Sequence, residues 1–145
     1  MCSSDLQRIE RYMTHAPHTI NSGMPVGTAK ALMKKHGVRH LPVQVAGHLV
    51  GVVSERDLFL AASLHKEDGL LVDDVMTSEP YCVKADAPLG EVVEQMAMNR
   101  YGCAIVCNDE GRAIGIFTAV DALRALSDKL SERSRKDAIG RGSSP

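Results

Sequence analysis

Along the chain the apolar residues switch from helical to alternating spacing and back, and they do so twice. In the second half Leu89, Val92, Val93 and Met96 recur at i, i+3, i+4 and i+7, which predicts a helix with one buried stripe. Val26, Ala29, Leu32 and Met33 trace the same stripe more weakly in the first half. Pro25 and Pro88 suit the first helical position, where no backbone donor is missed, and Gly37 is a helix stop. Two β-rich runs follow each helix. Leu41 to Val45 and Leu49 to Val53 flank Ala46-Gly47-His48, and Ala104 to Cys107 and Ala113 to Phe117 flank Asn108-Asp109-Glu110-Gly111-Arg112, so each pair reads as a hairpin. A second helix then starts at Glu55 or at Ala119, with Leu58, Phe59 and Ala62, or Leu123 and Leu126, as its expected buried positions. A short extended piece after a proline precedes each series, His18-Thr19-Ile20 and Tyr81-Cys82-Val83. The predicted order is β-α-β-β-α, twice.

The two halves are copies. Tyr12-Met13-Thr14-His15-Ala16-Pro17 aligns with Val75-Met76-Thr77-Ser78-Glu79-Pro80 at an offset of 63, and Pro25-Val26-Gly27 aligns with Pro88-Leu89-Gly90. One extra residue near Glu110, in a turn, raises the offset to 64, after which Gly51-Val52-Val53-Ser54-Glu55-Arg56-Asp57 matches Gly115-Ile116-Phe117-Thr118-Ala119-Val120-Asp121. This divides the chain into an N-terminal segment at 1–11, a first repeat at 12–62, a polar and acidic linker at 63–74, a second repeat at 75–126, and a helix end with a mobile tail at 127–145. A half of that size is marginal alone, so the fold class expected is α/β (α+β), with two quasi-identical halves packed through their sheets about a pseudo-twofold axis and a cleft between them.

With 3% aromatic residues and no Trp, aliphatic side chains and Met must fill the core. The 17 basic and 18 acidic residues cancel, which argues against a nucleic-acid or anionic-membrane partner despite Lys34, Lys35, Arg39 and the tail residues Arg133, Arg135, Lys136 and Arg141. No signal peptide or membrane span is visible, so a cytoplasmic protein is expected, and Cys2, Cys82, Cys103 and Cys107 then read as small packing residues.

Met-Thr-x-x-Pro at the head of each half and Gly-h-h-[Ser/Thr]-x-x-Asp at the close of each second hairpin, h being apolar, resemble the cystathionine-beta-synthase (CBS) domain family over residues 12–126. Its paired repeats are called Bateman modules. The resemblance implies a regulatory sensor, not an enzyme. It implies binding of AMP, ADP or ATP, or else S-adenosylmethionine or NAD, in the cleft, with no required cofactor. A homodimer and a separate regulated protein, acted on in trans, are the partners it implies.

The family's functional residues fall on Ser54 and Asp57 in the first copy and on Thr118 and Asp121 in the second. A hydroxyl at a helix mouth lies beside unpaired backbone donors and the positive end of the macrodipole, where phosphate is favoured, and an Asp three residues on can accept from both ribose hydroxyls. The same pattern is also a capping box, worth about 0.5–2 kcal/mol if its Ser or Thr is lost. Arg56 has Val120 as its counterpart, so the first site is expected to prefer the more heavily phosphorylated ligand. For the base, the family implies Thr19, Ile20, Cys82 and Val83 with Leu41, Pro42, Ala104 and Ile105. Tyr81 and Tyr101 read as core residues before stacking platforms.

Two other classes compete. His15 with His18, or His36 with His40, offer metal ligands, but Gly37 interrupts the latter spacing and no Cys or carboxylate completes a zinc pattern. No nucleophile elbow, P-loop or dinucleotide fingerprint is present, which leaves a ligand-free interaction or dimerisation module as the second reading.

Overall fold

The computed structural model describes residues 7–64 and 69–142, with side chains described as far as residue 137. Cys2, Arg141 and part of the linker lie outside the described residues or side chains. The first repeat contains β2 (Ile20–Asn21), α1 (Val26–His36), β3 (His40–Val45), β4 (His48–Ser54) and α2 (Glu55–Leu64). The second repeats the order with β6 (Cys82–Val83), α4 (Leu89–Asn99), β7 (Cys103–Cys107), β8 (Ala113–Thr118) and α5 (Ala119–Gly142). Pro25 and Pro88 cap their helices from just outside. The first hairpin turns on Ala46 and Gly47 alone, at φ 50° and 81°, because His48 already pairs with Val45. Such primed turns follow the twist of the strands they join.

Two further short strands tie the copies together. β1 (Thr14–His15) leaves its own repeat to pair with β8, and β5 (Thr77–Ser78) pairs with β4. The sheets therefore run β2-β3-β4-β5 and β1-β8-β7-β6, each ending in a strand from the other repeat's head. Two glycines permit the exchange. A Cβ on Gly51 would lie 2.7 Å from both the Thr77 carbonyl oxygen and Met76 Sδ, and one on Gly115 would overlap Met13. The Met and the Gly of the repeated motifs are thus two halves of one contact, made between repeats and not within them.

Each core borrows in the same way. Ile9 and Met13 are buried with Leu89, Val92, Met96 and Phe117 of the second repeat, whereas Val72, in the short helix α3 (Val72–Val75), is buried with Val26, Leu41 and Val53 of the first. Ile9 belongs to the segment read as preceding the repeats and Val72 to the stretch read as a polar linker. Their full burial makes both structural. A third cluster, with Ile105, Ile116 and Cys107 against Leu49 and Val52, joins the two sheets.

One expectation is corrected. The inward positions of the later helices are Leu58 with Ala61 and Asp121 with Ala125, while Phe59 is 66% and Leu123 64% exposed, and Ala62 and Leu126 are exposed with them. The helices turn that apolar stripe outward. Residues 127–142, read as a helix end and tail, belong to α5. Glu132 with Lys136 and Arg133 with Asp137 stand at i, i+4, and once a packed helix is nucleated each added residue contributes a hydrogen bond at little cost. Among the described residues no helix is long and apolar enough to cross a membrane.

Candidate functional site

β4 ends at Ser54 and α2 begins at Glu55, so the change from strand to helix places a hydroxyl and a carboxylate at one helix mouth. Asp57 N donates to Ser54 Oγ at 3.1 Å, and Ser54 N donates to Asp57 Oδ2 at 2.9 Å. The capping box is formed. Glu55 N is spent on the Arg39 carbonyl at 2.8 Å, which leaves the Arg56 amide as the first-turn donor for an outside anion. β8 and α5 repeat the arrangement: Thr118 N donates to Asp121 Oδ2 at 2.9 Å and Asp121 N to Thr118 Oγ1 at 3.4 Å.

In front of the first box lies a cleft of about 780 Å³ between the repeats. Ser54, Arg56 and Asp57 form one wall, and Arg39 and His40 stand beside them. The opposite wall is supplied by the second repeat through Glu79, Tyr81, Arg100 and Tyr101. Tyr81 and Tyr101, read as core, both line the cleft and stack on each other with ring centroids 5.0 Å apart. Burial holds the Tyr81 phenol above its ordinary pKa, so it stays protonated and able to donate. Burial lowers the His40 imidazole against the opposing pull of Asp57, and its Nε2 lies 2.9 Å from where a Cβ on Gly102 would be. His40 thus packs directly against the backbone of the second repeat at Gly102.

The other expected residues are distributed differently. Leu41, Pro42, Ala104 and Ile105 are fully buried, Ile20 is buried, and Thr19 is half-buried. Cys82 and Val83 face a separate hollow of about 320 Å³ with Leu49, Lys84 and Cys107. None of these eight lines the large cleft, because the exchange of β5 brings up the chain just before β6 instead. Thr118 and Asp121 sit at the pseudo-symmetric position, where β8 gives way to α5. Ala16 and Glu79 share a positive φ, 49° and 54°, at matching points of the two crossings.

Arg100 was not singled out by the sequence reading. It ends α4 in the left-handed region at φ 58°, where the first copy has Gly37 at φ 65°. A non-glycine residue costs about 1–2 kcal/mol in that region, and the missing glycine at a repeated helix stop is the signal that could have found it.

Cys103 is buried and its thiol is pushed up to about 12, in keeping with a packing role, whereas Cys82 is exposed. The rings of His18 and His36 stack at 3.6 Å, and α1 ends at His36, so His40 does not share its helix face. Among the described residues no group of three His, Cys, Asp or Glu side chains could hold a metal ion.

The family model for the CBS domain matches residues 9–63 and 72–128. The chain belongs to the CBS-domain family. The CBS domain pair of protein MJ0100, solved with 5-methylthioadenosine and S-adenosyl-L-methionine, superposes with a TM-score of 0.78 at 25% identity, over 83% of this chain and 99% of that one. CBSX2 of Arabidopsis thaliana, solved with AMP, gives 0.73 at 27% identity over 84% and 97%. Inosine-5'-monophosphate dehydrogenase of Korarchaeum cryptofilum is 30% identical over 92% of this chain. The chain spans 27% of that relative's length. The molecule is therefore a pair of CBS repeats.

Proposed function

We propose that the cleft binds an adenine nucleotide, AMP, ADP or ATP, and that the pair is a sensor acting in trans on a partner protein. The observation that carries this reading is the convergence of Arg39, Arg56 and Arg100 on the capped mouth of α2, with Asp57 beside it and two tyrosines opposite. Guanidinium groups neutralise phosphate, a carboxylate accepts from a diol, and a phenol ring offers a flat apolar face. The ligands in MJ0100 and CBSX2 share an adenosine moiety, which supports the same core recognition here. Ligand would bridge the repeats and favour one relative orientation, and a coupling of about 1–3 kcal/mol to the partner is typical of such devices. The outward stripe of Phe59, Leu60, Leu123 and Leu126 favours a homodimer as the working state.

Calorimetric titration with AMP, ADP, ATP, S-adenosylmethionine and NAD tests the reading. Adenylates are expected to bind, with ATP preferred in the first cleft and that preference lost in Arg56→Ala. A ligand at 100 times its Kd should also add about 2.7 kcal/mol to thermal stability. A flat response to every compound would leave the chain an interaction module.

Arg100→Gly should separate fold from ligand. Relief of the left-handed backbone should raise stability by up to about 1 kcal/mol, several degrees in Tm, while nucleotide affinity falls. Equal affinity in the variant would remove Arg100 from the site.

A further inference from the structure

His40 opens β3 and pairs with Ser54, the last residue of β4, and both line the large cleft. Residues directly opposite each other on antiparallel strands share a face of the sheet, so the imidazole and the hydroxyl are neighbours. The ring also reaches the second repeat, where Nε2 lies 2.9 Å from the place of a Cβ on Gly102. Among the described residues nothing hydrogen-bonds to that ring. A ring nitrogen is left for a ligand.

The charges around His40 balance. α2 supplies Glu55 and Asp57 with Arg56, the residue before β3 is Arg39, and the second repeat brings Glu79 with Arg100. Three carboxylates face three guanidinium groups. Tyr81 and Tyr101 complete the opposite wall, and phenols bring no charge at neutral pH. The Cys103 thiol, pushed up to about 12 by burial, stays protonated. Burial therefore decides the state of the imidazole and holds it below its ordinary pKa, against the pull of Asp57 and Glu55 and with the push of Arg39.

We infer that an anionic ligand enters this cleft together with a proton, and that His40 is the residue that receives it. This rests on the nucleotide reading above. A phosphate adds a charge of about −1.5 to −2 near pH 7 to a site whose own charges cancel. Guanidinium groups are already fully charged and carboxylates are protonated only in acid, so neither can answer that charge near neutral pH. Imidazole can. The proton comes from solvent, no covalent bond is made, and the imidazolium donates to a phosphate oxygen in a charge-assisted hydrogen bond. Binding thus raises the His40 pKa from its depressed free value. Between the free and the bound value affinity climbs as pH falls, and outside that window it levels off. A neutral ligand exerts no such pull, so His40 increasingly favours charged ligands over neutral ones as the medium acidifies.

The test is calorimetric titration with AMP from about pH 7.5 to about pH 6, on the wild type and on His40→Gln. Free AMP takes up protons on its own phosphate in this range, but it does so for both proteins alike, and the difference between them reports His40. Across the range wild-type affinity is expected to gain about threefold to tenfold on the variant, one proton being worth up to about tenfold per pH unit. Proton NMR of the wild type needs no variant. The imidazole resonance identified by its contact with Gly102 should titrate at higher pH with saturating AMP than without it. Parallel pH profiles for the two proteins, or an unmoved resonance with AMP bound, would overturn the role of His40 and leave the nucleotide reading standing. Absence of AMP binding by the wild type at every pH in the range would remove the nucleotide reading, and this inference with it.

Discussion

Asp57→Ala is expected to weaken AMP binding at the first cleft by about tenfold to a hundredfold and to lower stability by about 1 kcal/mol. The two effects have separate causes. In the unliganded protein the carboxylate accepts from Ser54 N and places negative charge in the first turn of α2, so its removal strands one donor and loses a favourable interaction with the helix dipole. In the proposed complex the same carboxylate would accept from a ligand diol, and a hydrogen bond to a charged group contributes about 1.5–3 kcal/mol. Asp57→Asn separates them. Its amide oxygen can still accept from Ser54 N, so stability should fall less than in Asp57→Ala, while affinity should still drop because the charge is gone. Calorimetric titration reads the first quantity and thermal melting the second. AMP affinity within twofold of wild type in both variants would show that Asp57 is only a helix cap.

Ile9→Ala should be among the most destabilising single changes in the chain, although it lies outside the repeats as read from sequence. Ile9 is fully buried against Leu89, Val92, Met96 and Phe117, and truncation of such a side chain costs about 2–5 kcal/mol. Backbone bonds reinforce the contact: Ile9 N donates to the Ala87 carbonyl at 2.9 Å, and Leu89 N to that of Gln7 at 2.7 Å. The damage should appear in the second repeat. Hydrogen exchange is expected to speed up in α4, β7 and β8 before it does in β3 and β4, and Val72→Ala should show the reverse order, because Val72 fills the first core. Loss of protection confined to the first repeat in Ile9→Ala would contradict the exchange of elements between the halves.

That exchange marks the boundary between what was legible and what was not. Leu89, Val92 and Met96 were assigned to a buried stripe by spacing alone, and the strands of both hairpins were placed to within a residue, because period and turn chemistry are local. Ser54 with Asp57 and Thr118 with Asp121 were also legible, since a capping box spans four consecutive residues and needs no partner from elsewhere. Tyr81, Arg100 and Tyr101 were not. They reach the cleft from the opposite repeat, and nothing local states which half a Met-Thr segment will join. Phe59 failed for a related reason: an apolar residue one position from Leu58 lies on the inward or the outward face according to how the whole helix is rolled on its sheet.

By itself the sequence determined that the protein is built twice from one β-α-β-β-α unit, and that each unit ends in a hydroxyl and a carboxylate at a helix mouth. These follow from short-range periodicity and from a register that holds at 63 and then 64 residues. Only the tertiary structure decided that Met13 lies on Gly115 and Met76 on Gly51, so that each sheet is completed by the other repeat. It alone decided that Tyr81, Arg100 and Tyr101 of the second repeat face Ser54 and Asp57 across the cleft. Both are long-range choices, set by which surfaces remain unfilled once the local elements have formed.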